Sequence, residues 1–500
     1  MPARIILTIA AVATTIAAPA AAQSIAPAAA HATSRVLADD PRVADALALL
    51  GVWLENRRQY HDIPGISAAV VHDQELVWSE GFGLADLERR VPATAGTIYS
   101  ICSISKLFTS VALMQQRDAG RVRLDDPVAS HLPWFRIERS HPDSPPVRLE
   151  GLLTHSSGLP RESGFPYWSA PDFHFPTRDE VQQRIAEQAT LYPAERYFQY
   201  SNLGMTLAGE VVSAVSGQPY DAYVRTHILA PLGMDDTSPE IPAAERGRRL
   251  ATGYGRRMPA AHRDVVPFYT TNGIAPAAGF ASTVGDLARF ASWQFRLLAH
   301  GGKEILDANT LREMHRVHWI DPDWNTTWGL GFAVTRDGSQ TFVGHGGSCP
   351  GYVSHLHLNP RERIATIVMV NASGVESALL TRQAYRLVAP ALRQAASDTA
   401  ADTTGKSVAD AALDPYLGVY RSFWGDLAIV RWEGGIAGVS LPTEDPFGAI
   451  RRLRSAGEHT FRWVRTDGAD EPGDFVRFEI GDGGRATRVF NGVNPMERVR

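Results

Sequence analysis

The chain has 500 residues, 44% of them hydrophobic, with 54 acidic against 49 basic side chains and a formal charge of −5. That length can bury a large core and exceeds one typical domain, so a large domain and a smaller one are expected. A balance so close to neutral, with no polybasic run, excludes the electrostatic footprint of a nucleic-acid or membrane-surface binder.

Residues 1–22 carry one basic residue, Arg4, and then an Ile/Ala/Val stretch ending Pro19-Ala20-Ala21-Ala22 before Gln23. This fits a cleaved secretory signal; the stretch is rich in Ala and Thr and lacks the Leu content of a good membrane span. Export places the mature protein in the bacterial periplasm or outside the cell, with no stable membrane span. There the only two cysteines, Cys102 and Cys349, can be oxidised. No cysteine lies at the cleavage point, so no lipoprotein anchor is expected.

Residues 23–40 form an Ala/Ser/Pro-rich lead-in expected to be disordered. Val43, Leu47, Leu50 and Leu54 mark an amphipathic helix from Val43 to Tyr60. Ile66 to His72 and Glu75 to Gly81 read as strands joined by a polar turn. A helix follows Ser103 and stops at Gly120, and Val147 to Leu153 is a helix ending in the turn Thr154 to Pro160. Phe165 to Phe175 holds Tyr167, Trp168 and Phe173 among prolines, either to wall a substrate pocket or to anchor a long loop in the core.

Met205 to Ser216, Tyr220 to Leu229 and Gly285 to Leu298 are helical; Gly329 to Thr335, Gln340 to Gly344, Val353 to Leu358 and Ile364 to Val370 are strand-like. A last helix is expected to end near Val388, before Pro390. Strands at both ends with helices between predict one antiparallel sheet covered by helices. Residues 395–412 have the composition of a linker, and residues 413–500 carry short strands between Gly/Asp turns, a small all-β domain. The division is thus 1–22, 23–40, 41–394, 395–412 and 413–500.

Ser103 and Lys106, three apart on a helical run, stack on one face, so an amine can sit beside a hydroxyl. Acyl transfer needs such a nucleophile and base, a proton shuttle, and donors for an oxyanion. Tyr200 in Tyr200-Ser201-Asn202 is the candidate shuttle and Asn202 a candidate substrate contact. In His345-Gly346-Gly347-Ser348 the glycines permit close backbone approach, and the N–H groups of Ser103 and Ser348 are candidate oxyanion donors.

The strings SISK, YSN and HGG, in this order, with the flanks LLTHSSGLP, YSNLGMTLAGEVVSAVSG, HILAPLGMDDT and GHGGSCPGYVSH, resemble the serine β-lactamase and penicillin-binding-protein superfamily over roughly residues 43–392. The resemblance implies an α/β sandwich and an acyl-enzyme on Ser103. It implies bases at Lys106 and Tyr200, a substrate contact at Asn202, and a site edge formed by His345 to Gly347 with Ser348. Tyr at the first position of the second motif is similar to class C β-lactamases and to related esterases and D-aminopeptidases. His345 stands where β-lactamases carry lysine, and no separate glutamate can be assigned to activate water. An esterase, amidase or D-peptidase is therefore expected ahead of a β-lactamase or a non-catalytic penicillin- or peptidoglycan-binding protein, with a small molecule or peptide as substrate. The carboxyl-terminal domain resembles the lipocalin-like appendages of some relatives.

Other histidines receive plainer assignments. His155 reads as a hydrogen-bonded structural residue. His355 and His357 share a strand face but have no third ligand near in sequence, so no metal and no cofactor are expected. The motif arrangement brings Cys102 and Cys349 toward one site. A Cα separation beyond ~7 Å would exclude a disulfide between them.

Overall fold

The structure is a computed structural model that describes residues 37–258, 263–399, 411–464 and 473–500. The proposed signal, most of the lead-in and most of the linker fall outside these residues.

Helix α1, Pro41–Tyr60, starts where Asp40 accepts from the backbone N–H of Arg42 and Pro41 supplies a pre-set first turn. Its buried face carries Val43, Ala46, Leu47, Leu50, Trp53 and Leu54. The chain then forms the hairpin β1, Gly65–His72, and β2, Glu75–Asp86. Strand β1 is apolar almost throughout because it is central and covered on both faces. Next come α2, Ser105–Asp118, α3, Asn202–Ser216, and α4, Val284–His300. Strands β3, Ala333–Asp337, β4, Gln340–Cys349, β5, Tyr352–Asn359, and β6, Ile364–Val370, precede the final long helix α5, Ser377–Thr399.

The two ends of the domain meet in one nine-stranded sheet. Its order is Val91–Pro92, β2, β1, β6, β5, β4, β3, Thr327–Trp328 and Trp319–Ile320. Ile66 pairs with both Phe82 and Val370, which fixes the register at the centre. Alternation along β1 divides the layers: Ala69 and Val71 face the core of α2, α3 and α4, whereas Ala68 and Val70 face α1 and α5.

Three expectations about boundaries are corrected. Pro390 lies inside α5, which continues to Thr399 and so takes up residues 395–399 of the expected linker. Leu387, Val388, Ala389, Leu392 and Ala395 are buried on either side of the proline, and their packing with α1 outweighs the one backbone donor that proline removes. The expected strand Gly329 to Thr335 is broken, because Gly331 at φ +83 turns the chain tightly against Ser110 of α2. Strand β4 runs on past Gly344 to Cys349, so the glycine pair lies within a strand.

Residues 418–498 close into a barrel of eight antiparallel strands: β7 Gly418–Ser422, β8 Gly425–Trp432, β9 Gly435–Leu441, β10 Ile450–Gly457, β11 Thr460–Trp463, β12 Phe475–Ile480, β13 Ala486–Asn491 and β14 Asn494–Arg498. Leu427 and Ile429 point into the barrel, while Ala428 and Val430 point out and join the core shared by α1 and α5. Both faces of β8 are thus buried. Trp53 of α1 donates to the Thr443 carbonyl at 2.9 Å across the same junction.

Candidate functional site

The short strand Tyr99–Ser100 pairs with Ala281–Ser282, and Ile101 N–H bonds the Phe280 carbonyl at 2.9 Å. Cys102 then takes a left-handed conformation at φ +50, uncommon for a side chain of its kind, before one 3-10 turn, Cys102–Ile104, leads into α2. That turn presents Ser103 half-buried at the mouth of α2, with Lys106 fully buried one turn on.

Three oxygens surround the amine of Lys106. Nζ lies 3.2 Å from Ser103 Oγ, 2.7 Å from Asn202 Oδ1 and 2.8 Å from the Ala277 carbonyl oxygen. Burial pushes this amine well below its usual range, against an upward pull from Glu162 and with a smaller downward push from Arg161. A neutral amine has two N–H bonds and one lone pair. The Asn202 and Ala277 oxygens are pure acceptors and take two hydrogens, so an amine that has lost its third proton would turn its lone pair to the Ser103 hydroxyl.

Tyr200 precedes the cap of α3, where Ser201 Oγ accepts from Gly204 N–H at 2.8 Å and donates to the Pro160 carbonyl at 2.6 Å. Since Ser201 is the cap, the Asn202 side chain is free to turn inward. Burial raises the Tyr200 phenol, opposed by a hydrogen bond with Ser103, so the hydroxyl keeps its proton at neutral pH. Its ring lies 4.9 Å from Lys106 Nζ and 4.9 Å from the Arg161 guanidinium. His155 packs against it at 4.3 Å between ring centroids and accepts from Ser201 N–H at 3.2 Å through Nδ1. A residue expected to be structural therefore buttresses the tyrosine.

Asn202 Nδ2 donates to both oxygens of Glu162, at 2.9 and 3.0 Å. Glu162 also accepts from the Tyr167 hydroxyl and pairs with Arg161 at 3.1 Å. The amide of Asn202 thus engages Lys106 through its oxygen and Glu162 through its nitrogen. Glu162 and Arg161 are the two site residues that sequence reasoning missed. Of the aromatic stretch, Tyr167, Phe173 and Phe175 are buried and Phe175 stacks on Tyr269 at 5.2 Å, so these rings anchor the loop in the core.

Strand β4 closes the other side. Its pairing with β3 ends at Ala333–Gly344, so His345 to Cys349 is paired only with β5 among the described residues. Gly347 has no room for a Cβ, which would meet the Ile101 carbonyl oxygen at 2.2 Å; Ser348 is exposed. His345 Nδ1 donates to the Gly346 carbonyl at 2.5 Å, and its Nε2 is buried without a partner. Burial, helped by Lys106, pushes His345 down to about 3, so the ring is neutral at pH 7. Cys102 and Cys349 form a disulfide with a Cα separation of 5.7 Å, tying the residue before Ser103 to the residue after Ser348. Among the described residues, no group of three or more His, Cys, Asp or Glu could hold a metal ion.

The structure therefore brings Ser103, Lys106, Tyr200 and Asn202 into contact and sets His345, Gly347 and Ser348 along the adjoining strand. Fold and site together define the class: a serine hydrolase built on the β-lactamase fold. The β-lactamase family model matches residues 53–389, and the chain belongs to that family. It is 24% identical over 433 residues to Beta-lactamase-like protein 2 of Dictyostelium discoideum, covering 83% of this chain and 78% of the relative. Among solved structures it is similar to the octameric penicillin-binding protein homologue from Pyrococcus abyssi, with a TM-score of 0.60, 24% identity, and 91% and 98% of the two chains covered. It is also similar to the D-amino acid amidase of Ochrobactrum anthropi SV3, with a TM-score of 0.56, 26% identity, and 72% and 99% covered.

Proposed function

We propose that this chain is an exported hydrolase that cleaves ester or amide bonds through an acyl-enzyme on Ser103. The observation that carries the proposal is the buried Lys106 amine lying 3.2 Å from Ser103 Oγ. Lys106 takes the hydroxyl proton as Oγ attacks the acyl carbon. The developing oxyanion is held by the backbone N–H groups of Ser103 and Ser348. Tyr200, protonated at neutral pH, relays the proton from Lys106 to the leaving oxygen or nitrogen. Water then repeats the sequence against the acyl-enzyme, with the same pair as base and acid.

The neutral His345, whose one N–H is spent on Gly346, offers no cation for the carboxylate of a β-lactam. That favours esters and amides over β-lactams, and the amidase likeness points the same way. The test is turnover of short-chain nitrophenyl esters, D-amino-acid amides and a chromogenic cephalosporin by the wild type and by Lys106→Met. Ester or amide turnover that falls by roughly 10²–10⁴-fold in the variant is expected. Full activity in Lys106→Met would overturn the mechanism, and efficient cephalosporin turnover would reverse the substrate choice.

A further inference from the structure

A cavity of about 420 Å³ opens on the face of the sheet opposite Ser103, between β3, β4 and β5 and the helix α5. Its size is that of a pocket for a small organic ligand. His355 and His357 of β5 line it, with Arg382, Gln383 and Arg386 of α5 and Arg336 of β3. Three guanidiniums face one lining carboxylate, Asp337. Arg386 has a second neighbour, Asp445 of the barrel, at 3.7 Å. Arg336 and Arg382 form no salt bridge among the described residues.

Two further observations point to a ligand. Gln383 is only 4% exposed, yet its Oε1 has no hydrogen-bond partner, and His357 Nε2 is likewise buried and unpartnered. Buried polar atoms are rarely left in that state. The two imidazoles stand 5.6 Å apart, and His357 stacks on Phe342 at 4.1 Å, so they are held in place. Burial and the charge of Arg382 keep both rings neutral, with His355 at about 4 and His357 at about 3. Arg336 and Arg382 have acceptors to gain, whereas the Gln383 oxygen seeks a donor.

We propose that this cavity binds a small organic anion, one whose carboxylate or phosphate meets Arg382 and Arg336 and whose hydroxyl or amide N–H reaches Gln383. Guanidinium suits both kinds of oxyanion, since its paired N–H bonds match two oxygens at once. His345 borders both places, but Arg336, Arg382 and Gln383, the groups assigned to the anion, lie outside the Ser103 cluster, so the site stands or falls separately from the proposed hydrolase activity.

Calorimetric titration of the full chain with citrate in one arm and pyrophosphate in the other tests the proposal and separates carboxylate from phosphate. At least one probe is expected to bind with 1:1 stoichiometry, equally in the wild type and in Ser103→Ala. Arg382→Glu, a change at an exposed position, is expected to weaken that binding by at least tenfold while ester turnover stays at the wild-type level. Arg336→Glu should weaken it too. Binding unchanged in both charge reversals, or no binding of either probe at 10 mM, would overturn the proposal.

Discussion

The disulfide between Cys102 and Cys349 offers a prediction with a magnitude. It joins residues 247 apart, so cross-linking removes a large amount of loop-closure entropy from the unfolded chain. The chain-entropy relation gives about 5.5 kcal/mol at 25 °C for a loop of that length, as an upper figure, and native disulfides generally deliver about 2–5 kcal/mol. Either value is a large share of the ~5–15 kcal/mol that holds a folded domain. Cys102→Ala/Cys349→Ala and reductant-treated wild type are therefore expected to unfold at a common, markedly lower urea concentration than the oxidised protein. Because the bond flanks both Ser103 and Ser348, kcat should fall as well. Two thiols titrating in the denatured, unreduced protein would refute the reasoning, as would coincident unfolding midpoints.

Glu162→Gln keeps an oxygen for Asn202 Nδ2 but removes the negative charge that raises the Lys106 amine. Lys106 works as a neutral base, so activity is lost as pH falls through its pKa. The acidic limb of kcat/KM should accordingly move to lower pH in the variant, and a limb that stays or moves upward would contradict the assignment of that limb to Lys106. Gly347→Ala places a methyl group against the Ile101 carbonyl and Ser354 Oγ, at 2.2 and 2.3 Å. The strand must retreat from the segment that carries Ser103, so kcat/KM should drop at least 100-fold at a stability cost of about 1–3 kcal/mol, read from ester turnover and urea unfolding. A chain ending at Thr399 loses the barrel and uncovers the side of α1 and Trp53 on which Ala428 and Val430 pack. It should aggregate or melt earlier than the whole chain in a light-scattering melt, and an unchanged melt would show that this contact contributes nothing.

The pattern of legible and hidden features follows from the range of the interactions. Ser103 and Lys106 meet because a helical turn is a local device, and strands such as Ile364–Val370 announced themselves by continuous apolar composition. Glu162 was invisible because its partner Asn202 is 40 residues away and nothing local ties the two. The segment Pro160-Arg161-Glu162 adjoins LLTHSSGLP, and that adjacency was the one available signal. Strands β10 and β14 leave little trace in the sequence because each buries a single residue, Leu453 or Met496, among charged or turn-forming ones; barrel closure, not composition, makes them strands. Pro390 misled because a rule about isolated helices yields to tertiary packing on both sides of the break.

The central claim is a covalent acyl-enzyme on Ser103, formed with Lys106 as base. Intact-mass spectrometry after rapid quenching with a slowly turned-over ester, followed by peptide mapping, tests it most directly. One acyl group per chain on the peptide containing Ser103 is the predicted result, with no adduct in Ser103→Ala. An adduct on another residue, or undiminished ester turnover in Ser103→Ala, would contradict the account.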